Sequence, residues 1–290
     1  MGFANSPSSF PMQAKELRLA IVPLNQVVLH EEIEPKRVDR LMQRLRQDRI
    51  LCNPPIVTEV RAANEWTRYV VLDGASRTSA LRALGVPDVL VQIVDYHSPQ
   101  IHLQSWHHLL LDVDPGELRA DVRRVPNLEL AEMDEQTARD KLERREIICY
   151  LLFANGCVEG VVCPADRYAQ TRALGALVKT YENKAALYRV STTDLEELAA
   201  RHRQLSAVVV FPHYHPEDIL RLALNGAKVP MGITRHIIPG RALRINIPLD
   251  ILESGQPLAD KNAWLDDWLE SKIRDRTVRF YQEPVFLFDE

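Results

Sequence analysis

The chain has 290 residues, 46% of them hydrophobic and 26% charged, with 36 Lys+Arg against 40 Asp+Glu for a formal net charge of −4. This composition excludes a disordered chain, a collagen and a disulfide scaffold, and its acidic balance argues against nucleic acid as a partner, since nonspecific binders are normally basic. A chain of this length buries roughly three quarters of its unfolded surface and folds as two domains or one large one.

The four cysteines, Cys52, Cys149, Cys157 and Cys163, form no C-x-x-C pair, so the spacing offers no structural zinc site. Cys149 and Cys163 lie in apolar runs, where a thiol fills core space. The setting read from this is reducing and cytoplasmic. Residues 1–22 lack a basic n-region and a long apolar h-region, so no secretory signal is expected there, and 1–16 read as a lead-in. Met1-Gly2 with Ser6 fits a myristoylation pattern, but a flexible Ser/Pro-rich lead-in is the simpler reading. The most apolar stretch, Ile147 to Cys163, is broken by Asn155, Gly156, Glu159 and Gly160. It falls short of the roughly 18 uninterrupted residues a membrane span needs, so no membrane partner is expected.

In chain order, Leu17 to Leu29 reads as one strand with Pro23 near its middle. An acidic turn, His30-Glu31-Glu32-Ile33-Glu34, follows. Pro35 then opens a helix, with Val38, Leu41, Met42 and Leu45 at helical spacing. The many arginines of that helix read as a solvated basic face. Ile56 to Val60 and Tyr69 to Leu72 read as paired strands around the turn Ala63-Asn64-Glu65. A helix from about Arg77 to Leu84 ends at Gly85, which tolerates a left-handed cap. Val89 to Val94 is a further strand.

A polar stretch from Asp112 to Asp134 separates this unit from a second one. Helical periodicity resumes through Leu142, Ile147 and Leu151. Thr193 to Glu196 has the form of a capping box. Ala207 to Phe211 is a buried strand and Ile219 to Asn225 a helix. Ile233 to Ile238 and Leu243 to Ile247 alternate as strands do. A helix from Trp264 to Ile273 and a strand from Val285 to Phe288 complete the chain. Interleaved strands and helices give an α/β or α+β class.

The segment richest in chemistry is Val70-Val71-Leu72-Asp73-Gly74-Ala75-Ser76-Arg77-Thr78. It reads as strand, tight glycine turn and helix start. A helix N-terminus presents unpaired N–H groups and the positive end of a dipole, which suits a phosphate. On this reading Gly74, Ala75, Ser76, Arg77 and Thr78 line an anion site. Ser76 caps the helix, Arg77 clamps a phosphate with two donors, and Asp73 holds Mg²⁺ or orients a hydroxyl. An ordinary strand-to-helix turn gives the same pattern. His107-His108 and His213-Tyr214-His215 offer paired imidazoles with no third metal ligand in evidence.

Leu72-Asp73-Gly74-x-x-Arg77, followed by Ala80-Leu81-x-x-Leu84-Gly85, resembles the phosphate-binding signature of the ParB/sulfiredoxin-like superfamily. Leu29-His30-Glu31-Glu32, a helix, and then Asn53-Pro54-Pro55-Ile56-Val57 follow the order seen in its free L-serine kinase subfamily. Gln104-Ser105-Trp106 and Gly232-Ile233-Thr234-Arg235-His236 are similar to that subfamily's substrate segments.

The resemblance implies a ParB/sulfiredoxin-like nucleotide-binding domain over 17–115 and an α/β substrate domain over 116–290, with the active site in the cleft between them. It implies transfer of a phosphoryl group from ATP or ADP, with Mg²⁺, to the hydroxyl of free L-serine. Glu31 would be the base and Asp73 its catalytic partner at the phosphates. Trp106, Thr234, His236 and Arg235 would surround the amino acid. Crowding by Glu32 and Glu34 would raise the basicity of Glu31. The kinases carry two histidines where Ala75 and Ser76 stand, and this departure motivates an alternative, a catalytically silent nucleotide-binding regulator or sensor. Ala75 also replaces the sulfiredoxin cysteine, so sulfinic-acid repair is excluded. Of the Glu-Arg-Arg of chromosome-partitioning ParB only Arg77 survives.

Overall fold

The computed structural model describes residues 17–61 and 66–279. The lead-in with Met1, Gly2 and Ser6, the turn at Ala63 to Glu65 and the strand expected at Val285 to Phe288 lie outside the described residues. The class is mixed α/β, as the alternation of patterns implies. The chain forms two compact units. The first takes described residues up to Val28, Glu34–Tyr96 and those from Ile238 onward; the second takes Leu29–Ile33 and His97–Ile237.

The first unit is built on β1 (Leu19–Pro23), β2 (Val27–Leu29), α1 (Pro35–Asp48), β3 (Ile50–Leu51), β4 (Ile56–Arg61), β5 (Thr67–Asp73), α2 (Ala75–Ala83) and β6 (Asp88–Val94). Its five-stranded sheet has the order β1-β6-β4-β5-β2, with β4 parallel to β6 and antiparallel to β5. The single strand expected from Leu17 to Leu29 is therefore two. Pro23 has no N–H for a ladder, and a 3₁₀ turn over Leu24–Gln26 sends the chain from one sheet edge to the other. Pro35 occupies the first turn of α1, as expected. Val38 and Leu45 are buried, and Lys36, Arg37, Arg40, Arg44 and Arg46 are exposed.

The second unit holds β7 (His102–Ser105), β8 (His107–Leu111), α3 (Pro115–Arg123), β9 (Glu129–Met133), α4 (Glu135–Glu143), β10 (Cys149–Phe153), β11 (Val158–Val162), α5 (Arg167–Tyr181), β12 (Ala186–Val190), α6 (Leu195–Arg201), β13 (Leu205–Val210), α7 (Pro216–Leu224) and β14 (Thr234–Ile237). Six strands form an antiparallel sheet in the order β12-β8-β13-β10-β11-β9, and β7 pairs with β14. The polar stretch from Asp112 to Asp134 is no spacer: it supplies α3 and the edge strand β9.

The helical periodicity read through Leu142, Ile147 and Leu151 also fails. Helix α4 stops at Glu143, Arg145 takes a left-handed φ of 61°, and residues 149–153 become a central strand buried at every position. An all-apolar run carries no period to tell strand from helix. Asp194, not Thr193, caps α6, accepting from the amides of Glu196 and Glu197. The core gathers Leu109, Tyr150, Leu152, Val208 and Val210 of the sheet against Leu142 and Leu198 of the helices.

The chain then returns to the first unit through β15 (Ile247–Pro248), α8 (Leu249–Glu253) and α9 (Leu258–Arg274). The strand expected over Leu243 to Ile247 shrinks to the two residues of β15, because Arg244 and Asn246 take φ of 54° and 58°, outside extended space. Helix α9 is longer than the expected Trp264-to-Ile273 segment. Its Asn262 closes a two-way clasp on Ile21 of the edge strand β1, donating to the carbonyl and accepting from the amide, each at 2.9 Å. That satisfies main-chain groups an edge would leave open. Lys261, fully buried, donates to Asp88 of β6 at 2.6 Å and to the Leu252 carbonyl at 3.1 Å.

Candidate functional site

In the first unit, β5 ends at Asp73 and α2 begins at Ala75. Gly74, with φ of 96°, makes the turn and serves as the N-cap. A Cβ on Gly74 would come within 3.0 Å of Pro55 Cα and of Arg77 Nη2, so both the backbone angle and the space require glycine. The helix therefore starts two residues earlier than the sequence implied, and Ser76 is inside it rather than at its cap. The amides of Ala75, Ser76 and Arg77 fall in the first turn, where no intrahelical acceptor exists. Thr78 differs: its amide and its hydroxyl both donate to the Gly74 carbonyl, at 3.0 and 3.1 Å, so it keeps no donor for an anion. Ala75 is buried and offers its main chain only.

Arg77 does not extend as a free clamp. Nη1 donates to the carbonyls of Asn53 and Pro54 at 2.8 and 3.1 Å, and Nη2 to Asp73 Oδ2 at 2.9 Å. Burial draws this guanidinium below its ordinary pKa, the Asp73 carboxylate opposes the shift, and the charges of Arg241 and Arg37 add to it. Arg241 reaches the same Asp73 oxygen at 3.3 Å. The helix start is thus framed by arginines and one carboxylate, an electropositive setting for an anion. Arg241 and the bracing role of Asn53 were not legible in the sequence. Asn53 also accepts from the amide of Arg244 at 2.8 Å, a contact made 191 residues along the chain.

In the second unit, residues 29–33 form a short extended segment. The amide of Val229 donates to the His30 carbonyl at 2.9 Å, and the amide of Glu32 to the Val229 carbonyl at 2.8 Å. Glu31 Oε2 accepts from the Gly232 amide at 3.2 Å. Glu32 turns away to Lys179, 3.3 Å from its Nζ. Glu31 and Glu32 thus take separate partners, and Glu34 stands at the N-cap of α1 without a side-chain cap bond.

His30, to which no motif assigns a role, is buried, and its Nε2 lies 2.9 Å from the Thr234 hydroxyl. Its ring meets that of His236 edge-on, centroids 5.3 Å apart. Thr234 and His236 share one face of β14. Arg235 points away and lies over Trp106, 4.4 Å from the ring centroid, while the Trp106 amide donates to the Ile233 carbonyl. Glu31, Thr234 and His236 are therefore drawn together in one unit, and Trp106 with Arg235 flanks the same β7–β14 pair.

His107 and His108 sit in β8 and are buried. Desolvation is the main reason their pKa values fall, to about 4 and about 3. His107 Nδ1 accepts from the Phe211 amide at 3.2 Å, and His108 Nδ1 lies 2.9 Å from the Tyr181 hydroxyl. Among the described residues no three His, Cys, Asp or Glu side chains are grouped to hold a metal ion, and no helix is long and apolar enough to cross a membrane. A cavity of about 400 Å³, lined by Arg145, Tyr168, Thr171 and Tyr214 among others, contains none of the residues expected at the active site.

No protein-family model matches the chain. It is 27% identical over 277 residues to the ATP-dependent L-serine kinase SbnI of Staphylococcus aureus, covering 94% of this chain and 97% of that protein. It is 22% identical to the ADP-dependent L-serine kinase SerK of Thermococcus kodakarensis, covering 87% of this chain and 100% of that one. The solved structure of C-terminally truncated SbnI superposes with a TM-score of 0.69 over 88% of this chain and 97% of its own, at 22% identity. That of a free serine kinase in complex with AMP gives 0.68 over 81% and 93%, at 19% identity. The chain has the fold of these proteins, and the likeness to the free L-serine kinases first read from a few separated motifs runs through nearly its whole length.

Proposed function

We propose that this protein transfers a phosphoryl group from ATP or ADP to the hydroxyl of free L-serine, giving O-phospho-L-serine. The observation that carries the reading is the anchoring of Glu31. Main-chain bonds to Val229 fix the 29–33 segment, and the Gly232 amide holds Oε2, so the proton is assigned to Oε1. The near full-length similarity to L-serine kinases supports it.

In this mechanism the serine oxygen attacks the terminal phosphorus and its proton passes to Glu31. The new O–P bond forms as the bond to the departing nucleotide breaks. A positioned base is worth about 10²–10⁴ in rate. The rest of the acceleration comes from placement and charge neutralisation. The first-turn amides of α2 receive the phosphates, with Arg241 beside them. Arg77 works as a positioning residue that fixes the Asn53–Pro55 loop and Asp73. His30 orients the Thr234 hydroxyl, and Thr234, His236 and Trp106 surround the amino acid, with Arg235 stacked behind Trp106.

Asp73 alone does not make a resident metal site, because one of its oxygens is committed to two arginines. Mg²⁺ fits this reading as the nucleotide's own companion, with no step assigned to it. A cytoplasmic setting suits the four unpaired thiols.

The test is incubation of the purified chain with ATP or ADP, Mg²⁺ and L-serine, followed by ³¹P NMR. O-Phosphoserine is expected, and Glu31→Gln, which keeps an acceptor for the Gly232 amide, is expected to lower kcat by about 10²–10⁴. Tight nucleotide binding with no product from either donor would establish the silent regulator instead, the reading that Ala75 and Ser76 motivate.

A further inference from the structure

We infer that Arg189 binds the α-carboxylate of the amino-acid substrate and so decides that a free amino acid, rather than a simple alcohol, is the acceptor. The inference rests on the serine-kinase reading and extends it to a residue outside its motifs. Arg189 lies on β12, opposite His108 of β8. Its guanidinium lies against Gly232 so closely that a Cβ at that position would collide with Nε, Cζ and Nη2 together. Gly232 has φ of 69° and is the residue whose amide holds Glu31. The guanidinium is therefore one residue away from the proposed base.

Charge narrows its role. A serine that presents its hydroxyl to Glu31 brings a carboxylate of the same sign close to it, and that approach is unfavourable unless a cation takes the second anion. Two basic side chains near these residues are already engaged. Lys179 pairs with Glu32 and Arg235 covers Trp106. Arg189 is exposed and has no carboxylate partner among the described residues. A guanidinium is also the group best shaped to grip a carboxylate with two donors. With no carboxylate partner among the described residues, Arg189 has no ion pair there that an incoming carboxylate must break.

The experiment compares wild type, Arg189→Gln and Arg189→Lys in steady-state kinetics with L-serine and with serinol, which has the hydroxyl and amine but no carboxylate. Calorimetric titration of L-serine into each protein accompanies it. Arg189→Gln is expected to raise KM and Kd for L-serine about 10- to 100-fold, the scale of a lost charge-assisted contact, with kcat changed by less than about threefold on that scale. Arg189→Lys is expected to recover part of the loss. kcat/KM for serinol, low in wild type, is expected to be the same in all three.

Unchanged KM and Kd for L-serine in Arg189→Gln would overturn the inference. So would an equal fall in kcat for both acceptors, which would place Arg189 at the phosphoryl group. The kinase reading fails separately, when wild type makes no phosphoserine from either donor. In that event the calorimetric Kd still decides whether Arg189 holds the carboxylate.

Discussion

Arg77 and Asp73 are joined across the turn from β5 into α2 by a 2.9 Å hydrogen bond, and the same guanidinium ties back to the main chain of the Asn53–Pro55 loop. The arginine that the motif presents as a phosphate clamp is thus also the brace of the site. Lysine cannot span these three acceptors, having a single point of charge. Arg77→Lys is expected to lower stability by about 2–3 kcal/mol, the scale of lost charge-assisted hydrogen bonds, and to weaken nucleotide binding at least about tenfold. Urea unfolding and calorimetric titration of ADP check the two effects.

Gly74 sets the entry angle of the helix. Gly74→Ala puts a side chain at a φ of 96° and against Pro55. A cost of about 1–3 kcal/mol follows from the backbone alone. Nucleotide affinity is expected to fall with it, because the first-turn amides shift as the turn opens. Thermal unfolding and the Kd for ADP measure both, and a stable variant with normal affinity would show that the turn is not the anion site.

The two buried imidazoles of β8 make stability depend on pH. Their folded pKa values, about 4 for His107 and about 3 for His108, lie below the roughly 6.5 of an unfolded chain. Unfolding therefore takes up protons below about pH 6.5. Stability is complete above that value and is lost as pH falls towards the folded pKa values, at up to about 1.4 kcal/mol per pH unit for each histidine. His108→Leu removes one contribution. The stability gap between wild type and this variant is expected to narrow by about 2 kcal/mol between pH 7 and pH 5. Urea titrations at both pH values test this, and parallel losses would refute it.

The four thiols divide by exposure. Cys52 and Cys157 are exposed, whereas Cys149 and Cys163 are buried, and burial raises the pKa of both. A thiol reacts as its thiolate. With a disulfide reagent at pH 8 the native protein is expected to release about two equivalents quickly, and about four once denatured. Mass mapping after alkylation should place the fast label on Cys52 and Cys157.

Local signals in the sequence carried a good part of this fold. Pro35, the β4–β5 pair, the Gly85 stop and the alternation of Thr234 to His236 were all legible, because each depends on a few adjacent residues. The failures share a different cause. Leu17 to Leu29 looks continuous, and only the sheet shows that Pro23 sends it to two opposite edges. Cys149 to Phe153 is apolar at every position, so its period is silent. In the site, Glu31, Thr234 and His236 could be named from motif order. Arg189, Arg241 and the hold of Asn53 on Arg244 could not, since their partners lie far away in the chain and no local pattern announces them.

The first unit is assembled from separated stretches of chain, and Asn262 and Lys261, which clasp Ile21 and Asp88, come from its last part. During synthesis on the ribosome the opening strands must therefore wait, their edge uncovered, while the whole of the other body is made. Any truncation upstream of α9 would release a nascent protein with an open seam, exposed to chaperones and proteases.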